Sequence, residues 1–196
     1  MKTLFVAASY FLGAIPSGYI IYRWVTKEDI RNFGSKNIGF TNVLRLLGLK
    51  YALPVLIFDF AKGFIPPFLA LKIFPDSKLA LLCALFAILG HCFPVYIKFK
   101  GGKGIATMMG IYAALDVYPF LICLGVFVLV SGISRYVSLG SLTSSLSYPI
   151  ILVLFDRNLN TIFLFVIIFL LILLRHRDNV KRLIRGNERK LGDANQ

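Results

Sequence analysis

Residues 88–130 read ILGHCFPVYIKFKGGKGIATMMGIYAALDVYPFLICLGVFVLV. Two apolar runs flank a short insert, Lys98–Gly104, that holds three lysines and three glycines. A lipid-spanning helix needs about 17–25 mainly apolar residues, so this pattern reads as spans joined by a cationic surface turn. The same alternation recurs along the chain, and the composition agrees with it. Of 196 residues, 58% are hydrophobic and 16% charged, against about 45–50% and about 25% in soluble domains. A globule this small buries about two-thirds of its unfolded surface, too little to hide so much apolar area from water. Lipid is the solvent for most of it.

The apolar runs fall near residues 4–24, 52–72, 79–97, 105–116, 117–134, 142–155 and 161–174. Because 105–116 and 142–155 are short, hydropathy alone leaves five to seven spans. Charge selects among these. With seven spans and the N-terminus outside, the cytoplasmic pieces are about 25–51, 98–104, 135–141 and 175–196. With Arg23 at the inner boundary, every Lys and Arg except Lys2, Lys62, Lys72, Lys78 and Arg157 then lies inside, as the positive-inside rule requires. The expectation is an all-α, polytopic membrane protein: one domain over 1–196, seven transmembrane helices, some short, N-terminus out and C-terminus in. The start is read as a first span, since its apolar stretch runs past Pro16 without a small-residue cleavage site. Cys83, Cys92 and Cys123 sit in apolar runs without metal-type spacing, which marks them as small buried hydrophobes.

Topology explains the basic residues but not the company they keep. In FGSKNIGFTNVLR, Phe33–Arg45, Gly34 and Gly39 free the backbone, Ser35, Asn37, Thr41 and Asn42 bring polar side chains, and Arg45 offers a fork suited to phosphate. Such a turn ahead of a helix N-terminus makes an anion-binding concavity; it also reads as a polar loop with Thr41 or Asn42 as helix cap. In the Lys98–Gly104 insert, Gly101, Gly102 and Gly104 bracket Lys103, so backbone can approach a ligand closely while an ammonium reaches in. The insert is not a Walker A loop, because Gly104 stands where Ser or Thr would be needed. RHRDNVKRLIRGNER, Arg175–Arg189, reads as a basic helix against anionic headgroups. His176 and Asn179 nonetheless share a helical face and suit the gripping of hydroxyls. Ser134–Ser141 adds Arg135 and further hydroxyls. Within the second span Asp59 and Lys62 lie three apart on one face, which reads as a structural ion pair in a setting where lone charges are costly.

Absences narrow the chemistry. Nine acidic residues without a loop cluster argue against a di-metal phosphotransferase, and no Gly-x-Ser-x-Gly elbow occurs. Neither His91 nor His176 has an Asp five positions later, which excludes the His-Asp pair of another large acyltransferase class. Nucleic-acid modules are absent. An anion transporter would also want intramembrane charge and cationic loops, but the cationic motifs crowd one face and no half repeats. A lipid-binding scaffold would not need the glycines.

GSKNIGFTNVLR (34–45), HCFPVYIKFKGGKGIAT (91–107) and RHRDNVKRLIRGNE (175–188) resemble the three signature motifs of the bacterial acyl-phosphate:glycerol-3-phosphate acyltransferases. YFLGAIPSGY (10–19) and DFAKG (59–63) resemble that family's first two helices, so the likeness covers the chain in order. Lys36 and Phe40 depart from the smaller residues expected there. The resemblance implies a seven-helix enzyme of the bacterial inner membrane with its active site facing the cytoplasm. It would pass a fatty acyl group from acyl phosphate to the 1-hydroxyl of sn-glycerol 3-phosphate. The products would be lysophosphatidic acid and phosphate, made without metal or cofactor. On that basis Gly34, Ser35, Asn37, Gly39, Thr41 and Asn42 are expected to cradle the donor phosphate. Arg45, Lys103, Ser141, His176 and Asn179 are expected to hold glycerol 3-phosphate, with Lys98 and Lys100 behind them. Ser35, Arg45, Lys103, His176 and Asn179 form the catalytic set. Phosphate leaves readily, so no protein nucleophile is required; His176 or, preferably, the donor's own phosphate takes the hydroxyl proton.

Overall fold

The computed structural model describes residues 1–192. The described chain is helical throughout, without a strand, and divides into two compact units, Met1–Leu115 and the residues from Asp116 onward.

The first unit opens with α1 (Lys2–Ala14) and α2 (Ser17–Thr26), one apolar stretch of 25 residues broken at Pro16. Proline cannot donate to the helical ladder; α1 stops at Ala14, and Ile15 lies in extended backbone. A polar segment then leads to α3 (Phe40–Leu47), followed by α4 (Leu49–Ile73), α5 (Ser77–Cys92) and α6 (Ile105–Leu115). The helices α1 and α5 pack together, as do α4 and α6, and glycine permits both approaches. A Cβ at Gly13 would stand 2.1 Å from the Ala87 carbonyl oxygen, and one at Gly110 would stand 2.0 Å from that of Phe60. Small residues bringing backbones together are the usual adhesive of helices in lipid. Asp76 caps α5 through the Lys78 and Leu79 amides and accepts from Lys2 Nζ at 2.8 Å; these bonds hold its carboxyl below the usual range, the lysine bond foremost.

The second unit holds α7 (Val117–Ser134), α8 (Val137–Leu154), α9 (Leu159–Arg175) and α10 (Arg177–Ile184). Asp116 caps α7 through the Tyr118 amide and pairs with Arg157. Ser144 Oγ donates to the Cys123 carbonyl at 2.7 Å, and Tyr148 meets Phe165 edge-on with centroids 4.6 Å apart. These contacts join α7 to α8 and α8 to α9. Between α9 and α10 the chain bends by 64°, at His176.

All seven apolar runs lie on helices. Five segments are long and apolar enough to cross a bilayer, and α9 with α10 makes a sixth if the bent pair is one span. The 11-residue α6 rises only about 16 Å, about half the hydrocarbon thickness. Exposed apolar side chains such as Leu129, Ile133, Phe163 and Leu174 are what a lipid-facing surface requires. Two expected boundaries change. The 135–141 segment is loop only at Arg135 and Tyr136, because α8 starts at Val137, and the single first span is two helices. Of the 175–196 segment, residues 193–196 lie outside the described residues. Cys83 and Cys123 are buried free thiols, and Cys92 is buried.

Candidate active site

In the first unit two loops are laced to each other. Arg31 clamps Asp29 with Nε at 2.9 Å from Oδ1 and Nη2 at 2.6 Å from Oδ2. The same guanidinium donates Nη1–H to the Ile97 carbonyl of the second loop at 3.1 Å and lies over the Tyr19 ring. The Arg31 hydrogen bonds hold the Asp29 carboxyl below its ordinary range.

The turn that follows is built around Asn42. Gly34 takes the left-handed conformation, φ +56, and a Cβ there would meet Asn42 Oδ1 at 2.3 Å. Asn42 Oδ1 accepts the Ser35 amide at 2.9 Å, and Nδ2 donates to the carbonyls of Phe33 at 3.2 Å and Asn37 at 2.9 Å. Asn42, expected among the phosphate donors, is thus buried with both N–H groups committed to backbone: it builds the turn rather than lining it. Gly39 is the N-cap of α3, which sets the Phe40 and Thr41 amides at a helix start, where orphan N–H groups and the helix dipole favour an anion. Ser35, Asn37, Thr41 and Arg45 are half-buried around it, and Thr41 and Arg45, four apart on α3, share a face.

The second loop turns twice through positive φ, at Lys98 and Phe99, and again at Gly104. Lys98 and Lys100 are exposed, whereas Lys103 is half-buried between buried glycines. Sequence reasoning gave these glycines to a ligand; two of them meet His91. A Cβ on Gly101 would lie 2.2 Å from the His91 carbonyl oxygen, and one on Gly102 would lie 2.2 Å from His91 Nε2. The Gly102 amide donates to the His91 carbonyl at 3.1 Å.

Beneath this loop is a buried ionic cluster. Asp59 is 3% exposed and Lys62 2%; they pair at 2.8 Å, as the sequence suggested. Ser17 Oγ donates to the same carboxylate oxygen at 2.7 Å, His91 Nδ1 stands 3.8 Å from it, and Lys62 Nζ also donates to the Ile15 carbonyl at 2.9 Å. The ammonium therefore satisfies a backbone group at the Pro16 break.

In the second unit His176 and Asn179 are 3% and 6% exposed, on either side of the bend into α10. His176 Nδ1 lies 2.8 Å from the Ile172 carbonyl; a carbonyl only accepts, so Nδ1 is the donor of this bond. Asn179 Nδ2 donates to Glu188 Oε1 at 2.6 Å, Ser138 Oγ to the same oxygen at 2.9 Å, and Arg182 Nε to Oε2 at 2.7 Å. Sequence reasoning missed Glu188, although an acid closing so basic a segment was the available signal. Ser141 lies in α8, and its hydroxyl hydrogen goes to the Val137 carbonyl at 2.8 Å, so its oxygen can serve only as acceptor.

Long apolar helices joined by cationic, glycine-bearing turns define an integral membrane protein. The sequence model of the glycerol-3-phosphate acyltransferase family matches residues 3–186. The glycerol-3-phosphate acyltransferase of Endomicrobium trichonymphae is 42% identical, covering 97% of this chain and 96% of that protein; that of Aquifex aeolicus is 42% identical over 97% and 100%. The crystal structure of PlsY (YgiH), an integral membrane glycerol 3-phosphate acyltransferase in its glycerol 3-phosphate form, superposes with a TM-score of 0.94 at 40% identity, over 97% of this chain and 96% of that one. A lysophosphatidic acid form gives 0.90 at 38% identity. The chain belongs to the glycerol-3-phosphate acyltransferase family.

Proposed function

We propose that this protein transfers a fatty acyl group from acyl phosphate to the 1-hydroxyl of sn-glycerol 3-phosphate, the first step of phospholipid synthesis. The observation that carries the reading is the full-length likeness to an acyltransferase solved with glycerol 3-phosphate and in a lysophosphatidic acid form, this reaction's acceptor and product. The hydroxyl oxygen attacks the acyl carbonyl carbon, the carbon–oxygen bond to phosphate breaks with its electron pair on phosphate, and the proton ends on that phosphate. Two phosphate groups must meet against their mutual repulsion, which fixed cations and N–H dipoles offset.

Gly34, Ser35, Asn37, Gly39 and Thr41 receive the donor phosphate at the head of α3, in a turn that Asn42 holds. Arg45, Lys103, Ser141, His176 and Asn179 take glycerol 3-phosphate. The chain crosses the bacterial inner membrane seven times, N-terminus out and C-terminus in, and works at the cytoplasmic face. His176 Nε2 accepts a hydrogen bond from the attacking hydroxyl and orients it, while the donor phosphate removes the proton.

Detergent-purified protein mixed with palmitoyl phosphate and glycerol 3-phosphate tests this. Lysophosphatidic acid and phosphate should appear in equal amounts, and palmitoyl-CoA should not replace the donor; turnover with the thioester alone would refute the donor assignment. Lys103→Ala should abolish measurable turnover. His176→Ala should lower kcat; an unchanged kcat with a raised KM would leave the histidine only a binding role.

A further inference from the structure

We propose that His91 is a positioning residue for Lys103: its imidazole transmits the order of the buried Asp59–Lys62 pair to the glycine-rich loop and so sets the ammonium for glycerol 3-phosphate. This rests on the reading of Lys103 as a ligand of that substrate.

The ring has two polar ends, and each meets something different. Nδ1 faces the Asp59 carboxylate at 3.8 Å. Nε2 lies against Gly102, where a Cβ would come within 2.2 Å, and the His91 carbonyl receives the Gly102 amide at 3.1 Å. Side chain and main chain of one residue thus grip the position immediately before Lys103. The carboxylate behind the ring is itself held by Ser17 Oγ at 2.7 Å and Lys62 Nζ at 2.8 Å, and the ammonium also donates to the Ile15 carbonyl. His91 is 4% exposed, which leaves it to act on the loop rather than on a ligand outside it.

The need for such a device is physical. A lysine between Gly102 and Gly104 carries a flexible stem on the most flexible backbone available, and ordering both on binding would weaken affinity. A wedge that fixes the loop beforehand removes that cost. The effect belongs to binding of the acceptor, not to the acyl-transfer step.

The test is steady-state kinetics of His91→Asn, His91→Gln, Lys103→Arg and the His91→Asn/Lys103→Arg double variant, each checked for monodispersity. His91→Asn keeps a polar atom near Asp59 but removes the ring end beneath Gly102; the KM for glycerol 3-phosphate should rise about tenfold with kcat within about threefold. His91→Gln restores an amide near the Nε2 position and should bring KM back to within about threefold of wild type. Lys103→Arg keeps the charge and residual turnover, and in its background His91→Asn should add little, because coupled residues are non-additive. Fully multiplicative effects, a loss confined to kcat, or loss of the fold in both single His91 variants would overturn the proposal. If wild-type protein consumes neither substrate, the functional reading fails and this inference with it; an active wild type beside an unchanged KM in His91→Asn sinks this inference alone.

Discussion

Lys62→Met removes the ammonium from the buried cluster while nearly preserving side-chain volume. Asp59 then keeps one strong donor, Ser17 Oγ at 2.7 Å, and the Ile15 carbonyl keeps the Ser17 amide at 3.1 Å. The cost therefore falls on the carboxylate, and breaking a buried pair in this way costs about 3–5 kcal/mol. The expected destabilisation is thus about 3–5 kcal/mol, and at about 2–4 °C per kcal/mol for a chain of this length the Tm falls by about 6–20 °C. The buried thiols of Cys83 and Cys123 provide the assay, since a thiol-reactive fluorophore reports their exposure on heating. Asp59→Asn/Lys62→Met, which leaves no charge behind, should recover at least half of the loss. A Tm within about 2 °C of wild type for Lys62→Met, or a double variant as unstable as the two singles summed, would refute the reasoning.

Glu188→Gln sets an amide N–H₂ against Arg182 Nε or Asn179 Nδ2, breaking a charge-assisted bond worth about 1.5–3 kcal/mol; kinetics should show kcat reduced about tenfold or more with a lower Tm by thiol exposure. Asn42→Ala deletes three hydrogen bonds to backbone, each worth about 0.5–1.5 kcal/mol, and should raise the KM for acyl phosphate more than that for glycerol 3-phosphate. The depressed carboxyl of Asp29 contributes stability that is present above the unfolded pKa of about 3.9 and is lost as pH falls through the lower folded value. Thermal melts should show Asp29→Asn less stable than wild type at neutral pH, with the gap closing in the acid range; a gap that widens on acidification would contradict the sign.

Hydropathy located the long apolar helices, because apolar content is a local property of about ten to twenty consecutive residues. Hydropathy ran through the break at Pro16, since Ile15 and Ile20 are as apolar as their neighbours and only the proline itself marks it; that Lys62, 47 positions away, donates to the Ile15 carbonyl was not visible. The partners of Asn42 and Glu188 were not visible, for a related reason. A polar side chain in a cationic loop looks the same whether it points at a ligand or at the backbone, and the difference is made by Ser35, Phe33 and Asn37 in one case and by Ser138, Asn179 and Arg182 in the other. The glycines of the second loop were visible, but their meaning was not. Their neighbour is His91, in the last turn of the preceding helix, which sequence reasoning considers only for the absence of an Asp five positions later.

The opened turn at Pro16 also bears on transport. In carriers built from discontinuous helices, exposed carbonyls and a carboxylate at such a break hold a cation that comes and goes. Here the cation is the tip of a side chain rooted in the next long helix, seated on Ile15 and Asp59. A tethered charge fills the berth where a carrier would seat an exchangeable ion, and its covalent stem keeps it there.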